Sequence, residues 1–230
     1  MPLARAKRRE RPIDAFTLRY IHRRVCHLTP RYALDLIGVL AFELTNPDAP
    51  WLTKQAFTIL STVLRPGDVG LEYGSGRSTI WFATRTQRLV SIETDQRWYQ
   101  KVQSLIFQKG LSDRVRYQYI PADESNPYDP YRSSYLSVAE ELPRQSLDYV
   151  LVDGLYRDEC AVRVAALVKL GGLLIVDNIN LFVPSRSRSP LSVASVQSGA
   201  WEQFLSLVRN WRLIWTSSGV TDTAIWIRSD

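Results

Sequence analysis

Short apolar runs recur along most of the chain, each bounded by polar or turn-forming residues. Runs of about four to eight such residues, alternating with longer amphipathic segments, indicate buried strands between helices. We expect these strands at residues 68–73, 88–93, 114–120, 148–153 and 173–178. Continuous apolar strands that alternate with helices predict an α/β fold whose parallel sheet is covered on both faces.

Between these runs, apolar residues follow the spacing of helices. Helices are predicted at residues 50–64, 77–86, 95–110, 158–172 and 201–211. The fourth is expected to end at the double glycine Gly171–Gly172. Residues 212–218 and 223–229 predict two more strands with a turn at Gly219. They form a hairpin, so the last strand runs antiparallel to the strand before it.

The first 49 residues differ from the rest. Five basic residues crowd the first dozen positions: Arg5, Lys7, Arg8, Arg9 and Arg11. They indicate either a solvated tail or contact with an anionic membrane surface or nucleic acid. The apolar run at 34–44 is too short to span a bilayer, so it predicts a buried helix. We expect a basic tail and helical extension at residues 1–49 and the main domain at residues 50–230.

Composition narrows the classes of protein to consider. The 230 residues are 45% hydrophobic, which suits a globular domain with a sizeable core. Cys26 and Cys160 are too few and too far apart for a disulfide framework, and we find no signal peptide. These features predict a reducing compartment and a cytoplasmic protein, with peripheral membrane contact as an alternative.

The stretch GLEYGSGRST at residues 70–79 closes the first predicted strand with a glycine turn. Ligands of open parallel sheets bind beside the carboxyl ends of the strands, where such a turn lets the backbone approach them. A dinucleotide fingerprint requires a third glycine, but Thr79 occupies that position. No lysine follows Gly76, which excludes the phosphate loop of nucleoside triphosphatases.

Three acidic residues suggest a different ligand. Glu72 precedes the glycines, where a carboxylate suits the amino group of a ligand better than a pyrophosphate. Glu93 ends the second strand and is placed to accept both hydroxyls of a ribose. Asp123 follows the third strand, where it could accept from an adenine amino group or start an Asx-turn. The combination describes a nucleoside joined to an amino acid without phosphate, which is S-adenosylmethionine.

Over residues 50–230 the chain resembles class I S-adenosylmethionine-dependent methyltransferases. The resemblance rests on VGLEYGSGRSTIWFA, LVSIETD, LDYVLVDG and GGLLIVDN. It implies a Rossmann-like three-layer sandwich, with a seven-stranded sheet whose last strand is antiparallel. The cofactor-binding residues expected from these motifs are Glu72, Tyr73, Gly74, Ser75, Gly76, Ser78, Glu93, Thr94, Asp123 and Asp153.

Candidate catalytic residues follow the fourth and fifth strands. Asp153 ends one strand, and Asp177 and Asn178 end the other, so their oxygen atoms are expected to lie close together. A similar set binds a divalent metal in catechol-type O-methyltransferases, which makes Mg²⁺ a candidate here. The lysine expected after Asp153 is missing, however. Asp177–Asn178 could instead order the next loop, and Asp153 or Asp177 could act as general base.

The leading interpretation is a methyltransferase acting at oxygen on a small or medium-sized acceptor. Alternatives are a NAD-dependent oxidoreductase and a non-catalytic cofactor-binding protein on the same fold. Nucleic acid is not the expected partner, because an amino-methylation signature is missing after the fourth strand; a homodimer is left open. The segments 121–146 and 179–199 predict functional loops, the second either a mobile lid or disordered. The tyrosines of the first, Tyr128, Tyr131 and Tyr135, could wall the ligand or pack the loop.

Overall fold

A computed structural model describes residues 28–229 of the chain. The basic cluster at residues 5–11 and Cys26 lie outside the described residues, and the predicted division at residue 49 stays a prediction. Within residues 28–229, no helix has the length and apolar content that spanning a bilayer requires.

The chain alternates between helices and strands from residue 54 onward. The helices are α1 (Pro30–Thr45), α2 (Lys54–Val63), α3 (Arg77–Ala83), α4 (Gln96–Gln108), α5 (Arg132–Ser137), α6 (Arg157–Ala165) and α7 (Gly199–Leu207). The strands are β1 (Val69–Tyr73), β2 (Arg88–Glu93), β3 (Val115–Tyr119), β4 (Leu147–Val152), β5 (Val168–Asp177), β6 (Arg212–Ser217) and β7 (Asp222–Ile227). Short 3₁₀ turns at Val138–Glu141 and Ile179–Leu181 complete the described elements.

The seven strands form one sheet in the order β3-β2-β1-β4-β5-β7-β6. The first five are parallel, and β7 pairs antiparallel with both β5 and β6. The predicted fold class, with its antiparallel last strand, is therefore confirmed. The strand order reverses direction between β1 and β4, and at such a switch point the adjoining loops part and leave a crevice for a ligand.

Alternating side chains of the central strands build a separate core on each face of the sheet. On one face, Leu71, Val150 and Val176 pack with apolar residues of α6 and α7. On the other, Leu151 and Ile175 pack with apolar residues of α2 and α3. Both faces are covered, which explains why these strands are apolar along their whole length.

The predicted helix at 158–172 is wrong in its second half. Helix α6 ends at Ala165, and β5 already begins at Val168. The double glycine lies inside this strand: Gly171 has a φ of +76°, and its N–H donates to the carbonyl of Arg228. A left-handed glycine followed by a glycine is a helix-stop signal in sequence, but here it bends a strand.

The prediction that residues 34–44 form a buried helix is half wrong. They do lie within α1, but none of that helix's residues is buried. Its inner side contacts the body, for example through an edge-to-face contact between Phe42 and Phe57 at 5.4 Å. Apolar residues occur around most of its circumference, so the sequence pattern could not show that one side faces solvent.

Gly70 offers a test of how tightly the sheet is packed. A methyl group at this position would lie 2.0 Å from the ring of the fully buried Tyr149. We expect Gly70→Ala to lower the free energy of unfolding by about 1–3 kcal/mol, because the well-packed ring has to shift. Urea denaturation measures this. Gly67→Ala, with no atom within 4 Å, is the matched control and should change little; equal effects would contradict the packing argument.

Candidate active site

The turn between β1 and α3 lies against the turn after β4. Gly74 has a φ of +88°, and a methyl group on it would lie 2.8 Å from the backbone of Asp153. A methyl group on Gly154 would lie 2.1 Å from the hydroxyl of Tyr135 and 3.0 Å from the nitrogen of Gly74. Glycine is therefore required at both positions by the close approach of the two turns.

Gly76 is different, because the chain itself does not require glycine there. Its φ is 165°, an extended conformation, and a methyl group would meet only Trp98, at 3.8 Å. Gly76 is nevertheless buried, and the Trp98 indole lies in van der Waals contact beside it. The described chain therefore gives no steric reason for glycine at this position.

Glu72 lies beneath this loop rather than facing a ligand. Its side chain is fully buried, and one carboxylate oxygen accepts from the hydroxyls of Thr79 at 2.6 Å and Ser91 at 2.7 Å. The Thr79 hydroxyl in turn accepts from the N–H of Gly76 at 3.0 Å. Threonine replaces the third glycine because its hydroxyl joins the loop to Glu72. The expected contact between Glu72 and a cofactor amino group does not fit this burial.

Burial raises the pKa of Glu72 from 4.5 to about 7, and the charge of Asp153 adds to the rise. Hydrogen bonds from Ser78, Thr79 and Ser91 oppose it by stabilising the carboxylate. The second oxygen, Oε1, is buried without a hydrogen-bond partner. Burying this oxygen costs less when Glu72 is protonated, because a carboxylate loses much more hydration free energy than a neutral carboxyl group does.

Glu93, at the end of β2, holds the outer part of the loop. Its Oε2 accepts from the N–H and hydroxyl of Ser75, at 3.2 and 2.5 Å. Its Oε1 accepts from the N–H groups of Thr94 and Asp95, at 2.7 and 2.9 Å. The structure therefore places the predicted residues Ser75, Glu93 and Thr94 together. All four acceptor sites of the carboxylate are used within the chain, so a ligand hydroxyl would have to replace one of these donors.

Other predicted residues lie away from this cluster. The Tyr73 side chain is buried in the core on the opposite face from Glu72, so only its backbone can contribute. Asp123 is exposed, and its carboxylate accepts from the N–H and hydroxyl of Ser125, which is the Asx-turn alternative. Tyr135 is fully buried and packs the loop to the body, whereas Tyr128 is 90% exposed.

Arg157 joins the ends of β4 and β5. Its guanidinium donates to the carboxylate of Asp153 at 2.9 Å and to the Asn178 side-chain oxygen at 3.1 Å. It also donates to three backbone carbonyls, those of residues 153, 154 and 177, at 2.6–3.0 Å. These five contacts match the five N–H groups of a guanidinium. Tyr156 adopts a left-handed φ of 47° and places Arg157 at the start of α6.

The three predicted metal ligands do not fit a divalent ion in this arrangement. One carboxylate oxygen of Asp153 and the side-chain oxygen of Asn178 already accept from the guanidinium of Arg157, whose positive charge would repel a cation. Asp177 is 3% exposed, and its Oδ1 accepts from the Thr223 hydroxyl at 2.6 Å. Among residues 28–229, no group of three or more His, Cys, Asp or Glu side chains is arranged to hold a metal. The positive charge between these strand ends is supplied by the chain itself.

The ionisation of Asp177 depends on the charge of Asp153. Burial raises the pKa of both, and the negative charge of Asp153 raises that of Asp177 further. Arg157 lowers both values, with a direct ion pair only to Asp153. The ion pair favours the carboxylate form of Asp153, whereas burial and the charge of Asp153 favour the protonated form of Asp177.

A cavity of about 570 Å³ opens beside this pair. Asp153, Asp177 and Asn178 form one wall, and α1 forms the opposite wall with Gly38 and Phe42 among its residues. Trp51 and Lys54 line the space between them. The cavity is large enough for a small or medium-sized organic molecule.

The loop at 179–199 is anchored to the body. The buried carboxylate of Asp222 accepts from the hydroxyls of Ser187 and Ser189, at 2.9 and 2.5 Å. Asn180 is buried as well, and its side chain donates to the carbonyl of Pro190. These contacts hold the segment against the body of the protein, which does not fit the disordered alternative.

Two contributors, Arg157 and Trp98, are not among the site residues predicted from the sequence. The Trp98 indole donates to the carbonyl of Ser75 at 2.8 Å and stacks on Trp51 at 6.0 Å. The one sequence signal is position: each lies in the first turn of a helix that follows a strand, close to the carboxyl edge of the sheet.

The raised pKa of Glu72 predicts that the free energy of unfolding depends measurably on pH. Between pH 4.5 and 7 the folded protein keeps a proton that the unfolded chain has released, so stability falls as pH rises. We expect Glu72→Gln to remove about 2 kcal/mol of this fall between pH 5 and pH 8, because glutamine stays neutral. Urea denaturation across this range measures it. Asp113→Asn, at an exposed site, should keep the slope of the unchanged protein; the same slope in Glu72→Gln would refute the assignment.

Comparison with known proteins supports the fold alone. No protein-family profile matches the sequence, and no curated protein matches it. A candidate caffeoyl-CoA O-methyltransferase from Staphylococcus aureus is 15% identical with a TM-score of 0.55, over 93% of this chain and 100% of that one. A methyltransferase from Geobacter sulfurreducens is 17% identical with a TM-score of 0.50, over 92% and 96%. A candidate rRNA methylase from Clostridium thermocellum is 11% identical with a TM-score of 0.51, over 76% and 95%.

The similarity extends over nearly the whole length of these proteins. Identities of 11–17% carry no information on substrate. With its strand order and helices on both faces, the chain has the seven-stranded, Rossmann-like fold of the class I methyltransferases.

Proposed function

We propose that this protein is an S-adenosylmethionine-dependent methyltransferase that methylates an oxygen of a small or medium-sized acceptor. The observation that carries the proposal is the loop between β1 and α3. Glu72 holds this loop from beneath through Thr79, and Glu93 holds it from the side through Ser75. The loop lies at the switch point of the sheet, and its residues Gly74 and Ser75 are partly exposed there.

The residues around the loop suit this cofactor. A carboxylate at the end of β2 can accept hydroxyls of a ribose, with Ser75 giving up its place on Glu93. The carboxylate of Glu93, which is 7% exposed beside the loop, makes a pyrophosphate an unfavourable ligand, because the two negative groups would repel each other in a region of low dielectric. The wall at Asp153 adds a further negative group beside Gly74, which favours a cationic ligand such as a sulfonium.

When bound, S-adenosylmethionine supplies an electrophilic methyl group to an acceptor oxygen. The role of the protein is then to orient the acceptor and to take up its proton. The cavity beside Asp153 and Asp177 is the proposed acceptor site. Asp177 in its carboxylate form is the proposed base, with Asp153 as the alternative. Arg157 holds both strand ends in place and limits the negative charge of the pair.

Three other functions remain to be tested against this one. A NAD-dependent oxidoreductase would need an open site for a pyrophosphate, which Thr79 and Glu72 disfavour. A non-catalytic protein would bind the cofactor without turnover. Because a candidate rRNA methylase shares the fold, a structured RNA belongs in the panel of acceptors.

Cofactor binding is the first test. We expect S-adenosylmethionine and S-adenosylhomocysteine to bind in isothermal titration calorimetry, and Glu93→Gln to weaken both about 10- to 100-fold. Four donors now bind the two oxygens of the Glu93 carboxylate. A glutamine amide has only one oxygen that can accept hydrogen bonds, so it cannot replace the carboxylate. Glu202→Gln, on the exposed side of α7, is the matched control. Absence of binding by the unchanged protein, or tight binding of NADH instead, would overturn the proposal.

The catalytic pair is the second test, by methyl transfer from labelled cofactor to a panel of phenols, catechols, carboxylic acids and RNA. We expect Asp177→Asn to lower kcat about 10²- to 10⁴-fold while the cofactor Kd stays unchanged. The rate should rise with pH across the neutral range, because the raised pKa of Asp177 keeps the base protonated at lower pH. A chelator such as EDTA should leave the rate unchanged. An active Asp177→Asn variant would exclude this residue as the base.

A further inference from the structure

The outer side of α1 carries an apolar stripe that faces solvent. Its large side chains are 70%, 61%, 50% and 82% exposed at Leu34, Ile37, Leu40 and Leu44, respectively. These positions share one side of the helix, because they recur at intervals of three or four residues. A stripe of four exposed leucine-type side chains on one helix indicates an interaction surface.

The acidic residues of α1 lie away from this stripe. Asp35 and Glu43 are half-buried and line the cavity on the inner side of the helix. The apolar residues Val39 and Phe42 line the same cavity, so α1 presents apolar side chains on both its inner and its outer side. The outer stripe itself carries no acidic residue.

The sequence that precedes α1 carries the net charge of the whole protein. Residues 1–27 contain eight Lys or Arg and two Asp or Glu residues, which account for the formal net charge of +6. The remaining residues contain 21 basic and 21 acidic side chains. A strongly basic segment thus adjoins an exposed apolar helix, whereas the body has no net charge.

From this juxtaposition we propose that α1 and the segment before it dock on a membrane surface containing anionic lipid. Basic side chains are attracted by the lipid headgroups, and an apolar helix side inserts at the boundary of the acyl chains; stable attachment generally needs two such signals. The proposal does not depend on the methyltransferase activity.

Other occupants fit less well. A second copy of the chain would bring its own segment of charge +6 to the same interface, where the two would repel each other. Nucleic acid would attract the basic segment but leave the apolar stripe without a partner. A lipid surface satisfies both features at once.

Docking in this way would have a consequence for the cavity. Helix α1 is one wall of the cavity beside Asp153 and Asp177, and Leu34 belongs to both the stripe and the lining. The cavity would then lie within about one helix diameter of the bilayer, roughly 10 Å. An acceptor that partitions into membranes could reach it without crossing the solvent.

Sedimentation of the full-length protein with vesicles tests the proposal. One set contains phosphatidylcholine alone, and the other contains about 30% phosphatidylserine, which gives a negative surface potential. We expect binding to the anionic set only, weakened by salt because the charges are screened. Replacing Lys7, Arg8, Arg9 and Arg11 with glutamine should weaken binding at least about a hundredfold.

The apolar contribution has its own variant and control. Ile37→Gln, Leu40→Gln and Leu44→Gln together should weaken vesicle binding at least about tenfold and leave circular dichroism unchanged, because the side chains are exposed. The matched control replaces with glutamine three exposed apolar residues outside α1, Phe107, Leu170 and Leu207, which are 77%, 63% and 51% exposed. The matched control for the charge variant replaces with glutamine four exposed arginines of the body: Arg88, Arg97, Arg144 and Arg209. Both controls should bind vesicles as the unchanged protein does.

Three outcomes would overturn the proposal. Equal binding to both vesicle sets would remove the role of anionic lipid. Binding that survives the stripe variant but fails with the charge variant, together with tight binding to a short RNA, would point to nucleic acid. A dimer in light scattering that the stripe variant converts to a monomer, without vesicle binding, would assign the stripe to a second copy of the chain.

Discussion

The guanidinium of Arg157 is the contact on which the candidate site depends. It connects the ends of β4 and β5 through Asp153, Asn178 and three backbone carbonyls. Without a positive group there, the half-buried carboxylate of Asp153 would have no partner of opposite charge beside the buried Asp177, which is unfavourable at low dielectric. Because the charge is covalently attached to the chain, the site is organised before any ligand arrives. A rigid site of this kind loses little conformational entropy on binding.

The loop between β1 and α3, which is the proposed cofactor loop, depends on carboxylates in a comparable way. Glu72 and Glu93 approach it from two directions, and serine and threonine hydroxyls transmit the contact to its backbone. The close contact of Gly74 with the turn at Gly154 joins this loop to the strand end that carries Asp153. Cofactor loop and acceptor wall therefore form one packed unit, in which a shift of either turn has to move the other.

Sequence reasoning was most successful where one physical signal dominates. Apolar runs gave the seven strands, and the turn at Gly219 gave the antiparallel hairpin, because burial and turn formation are local properties. Sequence reasoning failed where the conformation or burial of a residue depends on a contact with a residue distant in the sequence. The double glycine at 171 is a stop signal that pairing with β7 overrides, and the burial of Glu72 depends on Ser91 in the next strand. The reach of Arg157 across two strand ends depends on the left-handed turn at Tyr156, which no propensity indicates.

The position of Trp98 has a practical consequence. Its indole N–H is hydrogen-bonded to the carbonyl of Ser75, and its ring lies between Trp51 and the ammonium group of Lys101. Indole emission responds to hydrogen bonding and to nearby charge, and Ser75 is a residue whose contacts a ribose would rearrange. The molecule thus contains an intrinsic fluorophore at the edge of its cofactor loop. Occupancy of the loop can be followed optically, without a label and before any acceptor is known.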